Sequence, residues 1–313
     1  MANLFSLEIH FYLLLLLSFT EIITSESVPK EELVQSVNLP TMPYHKGPLL
    51  NGKISINLIW YGQFTPAQRA IVTDFITSID KPSKVREDQP DVVTWWKKIQ
   101  AYYKVAKKTY SLTLSLGTQI NDEKYSLGKK LSDAQIKELA AKGAQSDAIN
   151  VVLTSADVSV DKFCIWCGKH GFTAGNGTKS KYAYIWVGNP QTQCPGECAW
   201  PFYKGPYGPT TPAISPNKDK GMEGVIINLS TELAGTATNP FGDGFYHAPK
   251  EAPLEAGTAC NSIFARGAHP GFPGDLLVEV NTGASYNAQG VNGRKYLLPA
   301  IANPKGDYCS TLV

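Results

Sequence analysis

The sequence has almost no excess of charge of either sign. Its 29 basic and 27 acidic side chains leave a formal net charge of +2. Nucleic acids and anionic membrane surfaces attract strongly basic domains, so this balance argues against both as the main partner. The overall composition is typical of a globular protein, and 313 residues are enough for one large domain or two small ones.

Several motifs of enzymes are also missing. There is no G-x-S-x-G nucleophile motif, no glycine-rich loop ending in lysine and serine, and no H-E-x-x-H zinc motif. No internal repeat or low-complexity tract occurs. Beyond the N-terminal segment only four histidines remain, and none lies in a nucleophile motif with serine or cysteine: His45, His170, His247 and His269.

Only one long apolar run is present, at Phe11–Phe19 near the N-terminus. Nine residues are too few to cross a bilayer but match the apolar region of a secretory signal. Small residues before Val28 permit cleavage there, so residues 1–27 are predicted to be a signal peptide and the mature protein to be secreted, with no membrane span. Residues 28–50 are rich in proline and predict an extended lead-in to a domain at residues 51–313.

An even number of cysteines follows this signal, which predicts disulfide bonds because the secretory route is oxidising. A zinc ribbon, from C-x2-C followed by C-x3-C, is the weaker alternative, and the spacing does not decide the pairing. Four of the six lie in an insertion predicted near residues 161–216. The six are Cys164, Cys167, Cys194, Cys198, Cys260 and Cys309.

Two asparagines stand in glycosylation acceptor motifs. Asn176 lies in a glycine-rich loop and is predicted to carry a glycan. Asn228 lies on a predicted helix and is a doubtful acceptor.

Helices interrupt the predicted strands throughout the chain, which indicates a single domain of the α/β or α+β class. The expected architecture is a mixed β-sheet covered by helices on both faces. Segment 53–61 becomes fully apolar, 110–116 alternates strictly, and 148–153 and 181–187 are short and branched or aromatic, so all four predict strands. The glycine-rich segment 164–177 is predicted to be a loop.

The segment Gly221–Cys260 carries the strongest functional signal. Its apolar residues recur three or four apart, which predicts a helix that ends at Asn239-Pro240. The frame Thr231–Gly235 resembles a zincin helix that retains the central glutamate, Glu232, and lacks both histidines. Glu255 is placed to be the third ligand. The sequence therefore predicts a zincin-like scaffold with a degenerate metal site, holding no metal or cofactor.

Other interpretations remain open. Glu232 is most simply a surface or capping carboxylate on a core helix, and Glu232 and Glu255 are otherwise the candidate catalytic residues. Asp243 or Glu255 could pair with Glu232 as in a glycosidase, and His247 or His269 could approach these carboxylates. A further alternative is a sugar-binding module that uses exposed aromatic residues: Trp200, Phe202 and Tyr203.

Long segments resemble the EXORDIUM-like, phosphate-induced protein family of plants. They include GPLLNGKISINLIWYGQFTPAQRAIVTDFITSI (47–79), CGKHG (167–171), CPGECAWPF (194–202) and GTATNPFGDGFY (235–246), and the resemblance covers residues 44–312. More distant secreted proteins that resemble it carry H-E-L-A-E at the Thr231–Gly235 frame.

This resemblance implies a secreted protein of the apoplast or cell wall, linked to cell expansion and to brassinosteroid-promoted growth. It brings no catalytic residues with it. We therefore expect a non-catalytic glycoprotein that binds a wall polymer, a small signal or a cell-surface receptor. The alternative is a zincin-derived hydrolase acting on wall peptide or polysaccharide.

Overall fold

A five-stranded mixed sheet forms the centre of the structure, which is a computed structural model. The structure describes residues 34–35, 41–82, 89–143, 147–173, 181–206, 208–247, 249–250 and 252–313. All of these belong to one unit, residues 33–313. The sheet order is β3-β2-β5-β8-β7, with β7 the only antiparallel strand at one edge. Its strands are β2 Gly52–Tyr61, β3 Leu112–Asp122, β5 Ala148–Thr154, β7 Gly168–Thr173 and β8 Tyr182–Gly188.

Five α-helices accompany the sheet in the described part of the chain. Two of them begin at capping boxes, where Thr65 and Ser132 each accept a hydrogen bond from the third helical N–H and the third residue returns one. The helices are α1 Pro66–Ser78, α2 Val92–Val105, α3 Asp133–Ala141, α4 Pro195–Cys198 and α5 Lys220–Thr238.

The helices lie on both faces of the sheet, which makes three layers. On one face Ile56 and Leu58 of β2 pack in a large core with apolar residues of α1, α2 and α5. On the other face Ile59 and Tyr61 pack with α3 residues such as Leu139. Strand β5 is buried along its whole length, as expected for a central strand covered on both sides. The predicted mixed sheet covered by helices is confirmed.

Short strands tie the remaining loops to this body. β1 and β13 both pair with β14, β4 pairs with β6, β9 with β10, and β11 with β12. Met42 and Leu49 are buried in the main core, so packing begins before residue 51. These strands are β1 Val34–Gln35, β4 Lys130–Leu131, β6 Ser159–Val160, β9 Leu277–Val278, β10 Ser285–Tyr286, β11 Ala288–Gln289, β12 Lys295–Tyr296, β13 Ile301–Ala302 and β14 Cys309–Ser310.

Disulfide bonds connect all six cysteines, in the pairs Cys164–Cys194, Cys167–Cys198 and Cys260–Cys309. The first two fasten the loop before β7 to α4, and the third fastens the C-terminal strand to the segment after α5. The disulfide prediction is confirmed, and these pairings leave no cysteine for a zinc ribbon.

One part of the sheet was predicted wrongly. Residues 168–173 form strand β7, although their glycines and polar residues predicted a loop. The strand exists because its backbone pairs with β8, from Gly168 opposite Val187 to Thr173 opposite Tyr182. Because backbone groups make this pairing, the strand forms although its residues do not alternate between apolar and polar, and the sequence pattern therefore gave no sign of it. No helix in the described ranges is long and apolar enough to cross a membrane.

Candidate functional site

Helix α5 carries Glu232 into the interior of the protein. The helix begins where Asp219 accepts a hydrogen bond from the Met222 N–H and ends at Asn239, before Pro240. It packs beside β7 and β8, and most of its residues are buried because its apolar side chains belong to the main core. Glu232 is only 8% exposed. The interpretation of this residue as a surface or capping carboxylate is therefore wrong.

His170 of β7 meets Glu255 directly over this helix. The imidazole Nε2 of His170 lies 2.5 Å from Oε2 of Glu255, and both side chains are largely buried. The side chains of alternate residues in β7 point to opposite faces of the sheet. Thus His170 faces α5, whereas Lys169 faces α3, where its Nζ lies 2.8 Å from Oδ1 of Asp133.

The other groups of Glu255 are also engaged. Asn239 Nδ2 donates to Oε1 of Glu255 at 2.6 Å, and the Glu255 backbone N–H donates to Thr258 Oγ1 at 2.8 Å. The Asn239 side chain in turn accepts a hydrogen bond from the Gly244 N–H. The residue that ends α5 therefore also holds Glu255, and both carboxylate oxygens of Glu255 have partners.

Glycine makes this close approach possible. A Cβ atom on Gly235 would lie 2.7 Å from His170 Nε2 and 2.8 Å from Glu255 Oε2. One on Gly257 would lie 2.6 Å from the Thr231 carbonyl oxygen. At the frame position where a zincin carries its second histidine, this chain has a glycine, and the imidazole of His170 lies over it instead.

The pKa of His170 and the pKa of Glu232 are both raised in this cluster. Burial lowers the pKa of His170, but the charge and hydrogen bond of Glu255, with a contribution from Glu232, outweigh burial and raise it to about 9. Burial raises the pKa of Glu232 to about 7, against the charge of His170 and a hydrogen bond from the His170 backbone N–H. The raised pKa of His170 favours the imidazolium form, which can donate to Glu255, and burial disfavours the charged form of Glu232.

The arrangement is an internal ion pair with a neighbouring carboxyl group. Among the described residues no group of three or more histidine, cysteine or acidic side chains is arranged to hold a metal ion. The zincin-like interpretation of the frame thus finds no support in the arrangement of its side chains. His170 Nδ1 is buried and has no hydrogen-bond partner.

Several other candidate residues lie elsewhere. Asp243 is exposed and bound to Lys250, so it does not pair with Glu232. His269 is exposed and packs against the tilted ring of Phe272, while His247 pairs through its backbone with Leu254. The histidine that does reach the carboxylates is His170. In the sequence, only the glycines of C-G-K-H-G on either side of Lys169-His170 indicated that this segment packs closely against its neighbours.

The three aromatic residues considered for sugar stacking are not an exposed platform. Phe202 is fully buried. Trp200 is partly buried, packs on Phe264 and donates from Nε1 to the Gly208 carbonyl oxygen at 2.6 Å. Tyr203 is half-buried beneath the Lys220 ammonium. The chain uses these rings for packing, because each covers a large apolar area.

The two glycosylation candidates differ in their surroundings. The Asn228 side chain donates to the carbonyl oxygens of Cys198 and Gly224, at 2.8 and 2.7 Å, and so is held against α4 and α5. Asn176 lies outside the described residues.

Comparison with known proteins gives a family for this fold and site. The family described as "Phosphate-induced protein 1 conserved region" matches residues 42–312. The chain belongs to the EXORDIUM family. It is 58% identical to Protein EXORDIUM-like 1 of Arabidopsis thaliana over 86% of this chain and 89% of that protein. It is 56% identical to Protein PHOSPHATE-INDUCED 1 of Nicotiana tabacum, over 90% and 91% of the two chains.

A third relative extends the similarity to almost the whole length. Protein EXORDIUM of Arabidopsis thaliana is 53% identical over 97% of this chain and 98% of its own. The EXORDIUM family resemblance predicted from the sequence motifs is confirmed. No solved structure matches the chain.

Proposed function

We propose that this EXORDIUM-family protein is secreted into the plant apoplast and acts in cell expansion and brassinosteroid-promoted growth by binding a wall polymer, a small signal or a receptor, without catalysis. Three disulfides support the extracellular location, because such bonds persist in oxidising compartments. The predicted signal peptide at residues 1–27 supports it as well.

The non-catalytic role rests mainly on one observation. Both carboxylate oxygens of Glu255 are already bound, one by His170 and one by Asn239. A zinc ion would need these same groups as ligands, with the imidazole neutral. Since the pKa of His170 is raised to about 9, a metal would have to displace both a proton and an ion pair.

Purified protein and one variant test this proposal. The disulfide-intact chain should contain no stoichiometric zinc, and Glu232→Gln should bind isolated cell walls and restore growth in plants lacking the protein as well as the wild type does. The amide is matched in shape and still accepts the His170 N–H. Stoichiometric zinc, or loss of growth activity in Glu232→Gln with wall binding retained, would overturn the non-catalytic role.

A second candidate function is hydrolysis of wall peptide or polysaccharide. The observation in its favour is Glu232, whose raised pKa of about 7 suits a general acid or base at neutral pH. Hydrolysis predicts that wall fragments are released by the wild type and not by Glu232→Gln. Equal release by both proteins would exclude this role for Glu232.

A further inference from the structure

A polar cleft shares no lining residue with the His170 site. It has a volume of about 210 Å³ and is bordered by α1, by the segment before α5 and by the turn between β11 and β12. This volume gives room for a small polar ligand of about the size of one sugar ring. Six polar side chains line it: Asp74, Asn217, Glu279, Asn292, Arg294 and Lys295.

Charges in this cleft cancel in pairs. Arg294 Nε donates to Asp74 Oδ2 at 2.9 Å, and Lys295 pairs with Glu279. A ligand with one sign of charge would have to compete with one of these pairs and would face a like charge beside it. The cleft therefore favours a neutral ligand.

The polar groups are also held in place before any ligand binds. Arg294 Nη1 donates a hydrogen bond to Asn217 Oδ1 at 3.2 Å. The backbone and side-chain N–H groups of Asn217 donate to the buried carboxylate of Glu223. Asn292 Nδ2 donates to Asp74 Oδ1 at 2.9 Å. Such preorganisation lowers the entropy lost on binding.

The turn that presents Asn292 has an uncommon backbone. Asn292 has φ of 57° and Gly293 has φ of 72°, both in the left-handed region. The turn is fastened to α1, because the Val291 N–H donates to Ser78 Oγ at 2.9 Å. The exposed Asn292 side chain is thereby directed to the edge of the cleft, next to the Asp74 carboxylate.

We propose that this cleft binds a neutral saccharide of the plant cell wall. Each sugar hydroxyl both donates and accepts, and the cleft places carboxylate acceptors beside amide, guanidinium and ammonium donors. Apart from Pro216 and Gly293, its lining is polar, which suits a polyhydroxyl ring better than an apolar ligand. The inference rests on the proposed binding function and names its ligand class and site.

Calorimetric titration of the whole secreted protein tests the inference. The probes are four neutral β-1,4-linked tetrasaccharides, of glucose, xylose, galactose and mannose, and the anionic tetragalacturonate. At least one neutral probe should bind, and Asn292→Gly should weaken it at least tenfold. Glycine accepts the left-handed backbone, so this variant removes only the side chain. Ser262→Gly, at an exposed residue with φ of 61° outside the cleft, is the matched control and should bind like the wild type.

The charge of the cleft gives a second readout. Glu279→Gln removes the negative charge that balances Lys295, so the variant should gain affinity for tetragalacturonate. No binding of any neutral probe at millimolar concentration, tighter binding of tetragalacturonate than of every neutral probe by the wild type, or unchanged affinity in Asn292→Gly would overturn the inference. Wall binding that persists in Asn292→Gly would leave the proposed function standing and remove only this site.

Discussion

His170 Nε2 and Glu255 Oε2 lie 2.5 Å apart, although 85 residues separate them in the chain. One is on the edge strand β7 and the other is in the loop after α5. Asn239 binds the second oxygen of the same carboxylate. This relationship joins the sheet edge, the long helix and the following loop through buried polar contacts.

Removing the histidine should destabilise the fold strongly. His170→Ala leaves Glu255 buried without its cationic partner, which costs about 3–5 kcal/mol of unfolding free energy. Urea unfolding of His170→Ala, Glu255→Ala and the double variant measures the coupling between the two. His269→Ala, at an exposed histidine, should change stability by less than about 0.5 kcal/mol. Additive losses in the double variant would mean that the pair is not coupled.

Gly235→Ala should destabilise the protein, although alanine is normally the better helix residue. The added Cβ would lie within 3 Å of both His170 and Glu255, so we expect a loss of about 1–3 kcal/mol. In a His170→Ala background the contact with the imidazole is gone and the Glu255 side chain has space to move away, so the loss caused by Gly235→Ala should be smaller. Thermal and urea unfolding of the four proteins check this. The same loss in both backgrounds would contradict the proposed clash.

Stability should be greatest in mildly acidic solution. The raised pKa of His170, about 9, gives stabilisation that is complete below its unfolded pKa of 6.5 and is lost as the pH rises through 9. Burial also raises the pKa of Glu232 and of Glu223 to about 7, so the folded state binds more protons than the unfolded state between pH 4.5 and 7 and stability falls across that window.

Carboxyl groups with a lowered pKa have the opposite effect on stability. The stabilisation that they give is lost as the pH falls, and only in acid, below the ordinary pKa of a carboxyl group. Burial opposes the lowering for Asp122, but its hydrogen bonds with Lys142 and Ser126 prevail. The maximum should therefore lie near about pH 4 to 5, with a fall at higher pH on the order of 3 kcal/mol for one fully shifted group. Urea unfolding across pH 4–9 measures the profile. Glu232→Gln should reduce the slope between pH 4.5 and 7 by roughly half, because Glu223 still acts there, whereas exposed Glu197→Gln should leave the slope unchanged. A flat wild-type profile would refute the raised pKa of the two buried carboxyl groups.

The disulfides should differ in what their removal costs. Cys260–Cys309 closes a chain segment of 49 residues, and its loss as the Cys260→Ala/Cys309→Ala double variant should cost about 4 kcal/mol. Cys164–Cys194 lies within three or four residues of Cys167–Cys198, which still closes almost the same loop when the first bond is removed. Its removal should cost less than about 1 kcal/mol. Unfolding under non-reducing conditions compares the two, and equal losses would be evidence against this account.

Glycan should be attached at Asn176 and not at Asn228. The Asn228 amide nitrogen donates to two backbone carbonyl oxygens between α4 and α5, and a glycan on that nitrogen would remove one of the two N–H groups. Mass spectrometry of protein secreted from plant cells, with Asn176→Gln and Asn228→Gln for comparison, should show loss of the glycan only in Asn176→Gln. A glycan found at Asn228 would be inconsistent with its packing.

Much of the fold could be predicted because its signals are local. The helix end at Asn239-Pro240 and the apolar strand predicted at 53–61 depend on neighbouring residues, and the structure confirms both. The even number of cysteines indicated disulfides for the same kind of reason, although their spacing could not identify partners 30 to 49 residues apart.

What the amino-acid order alone determined was the family, the helix that carries Glu232 and the candidacy of Glu232 and Glu255. Only the tertiary structure decided that His170 is their partner. Strand β7 forms by backbone pairing with β8, and its backbone hydrogen bonds do not require an alternation of apolar and polar side chains. The site is assembled from three segments of the chain, and their contacts are set by tertiary packing. The sequence pattern therefore could not show which of the four histidines lies against a given carboxylate.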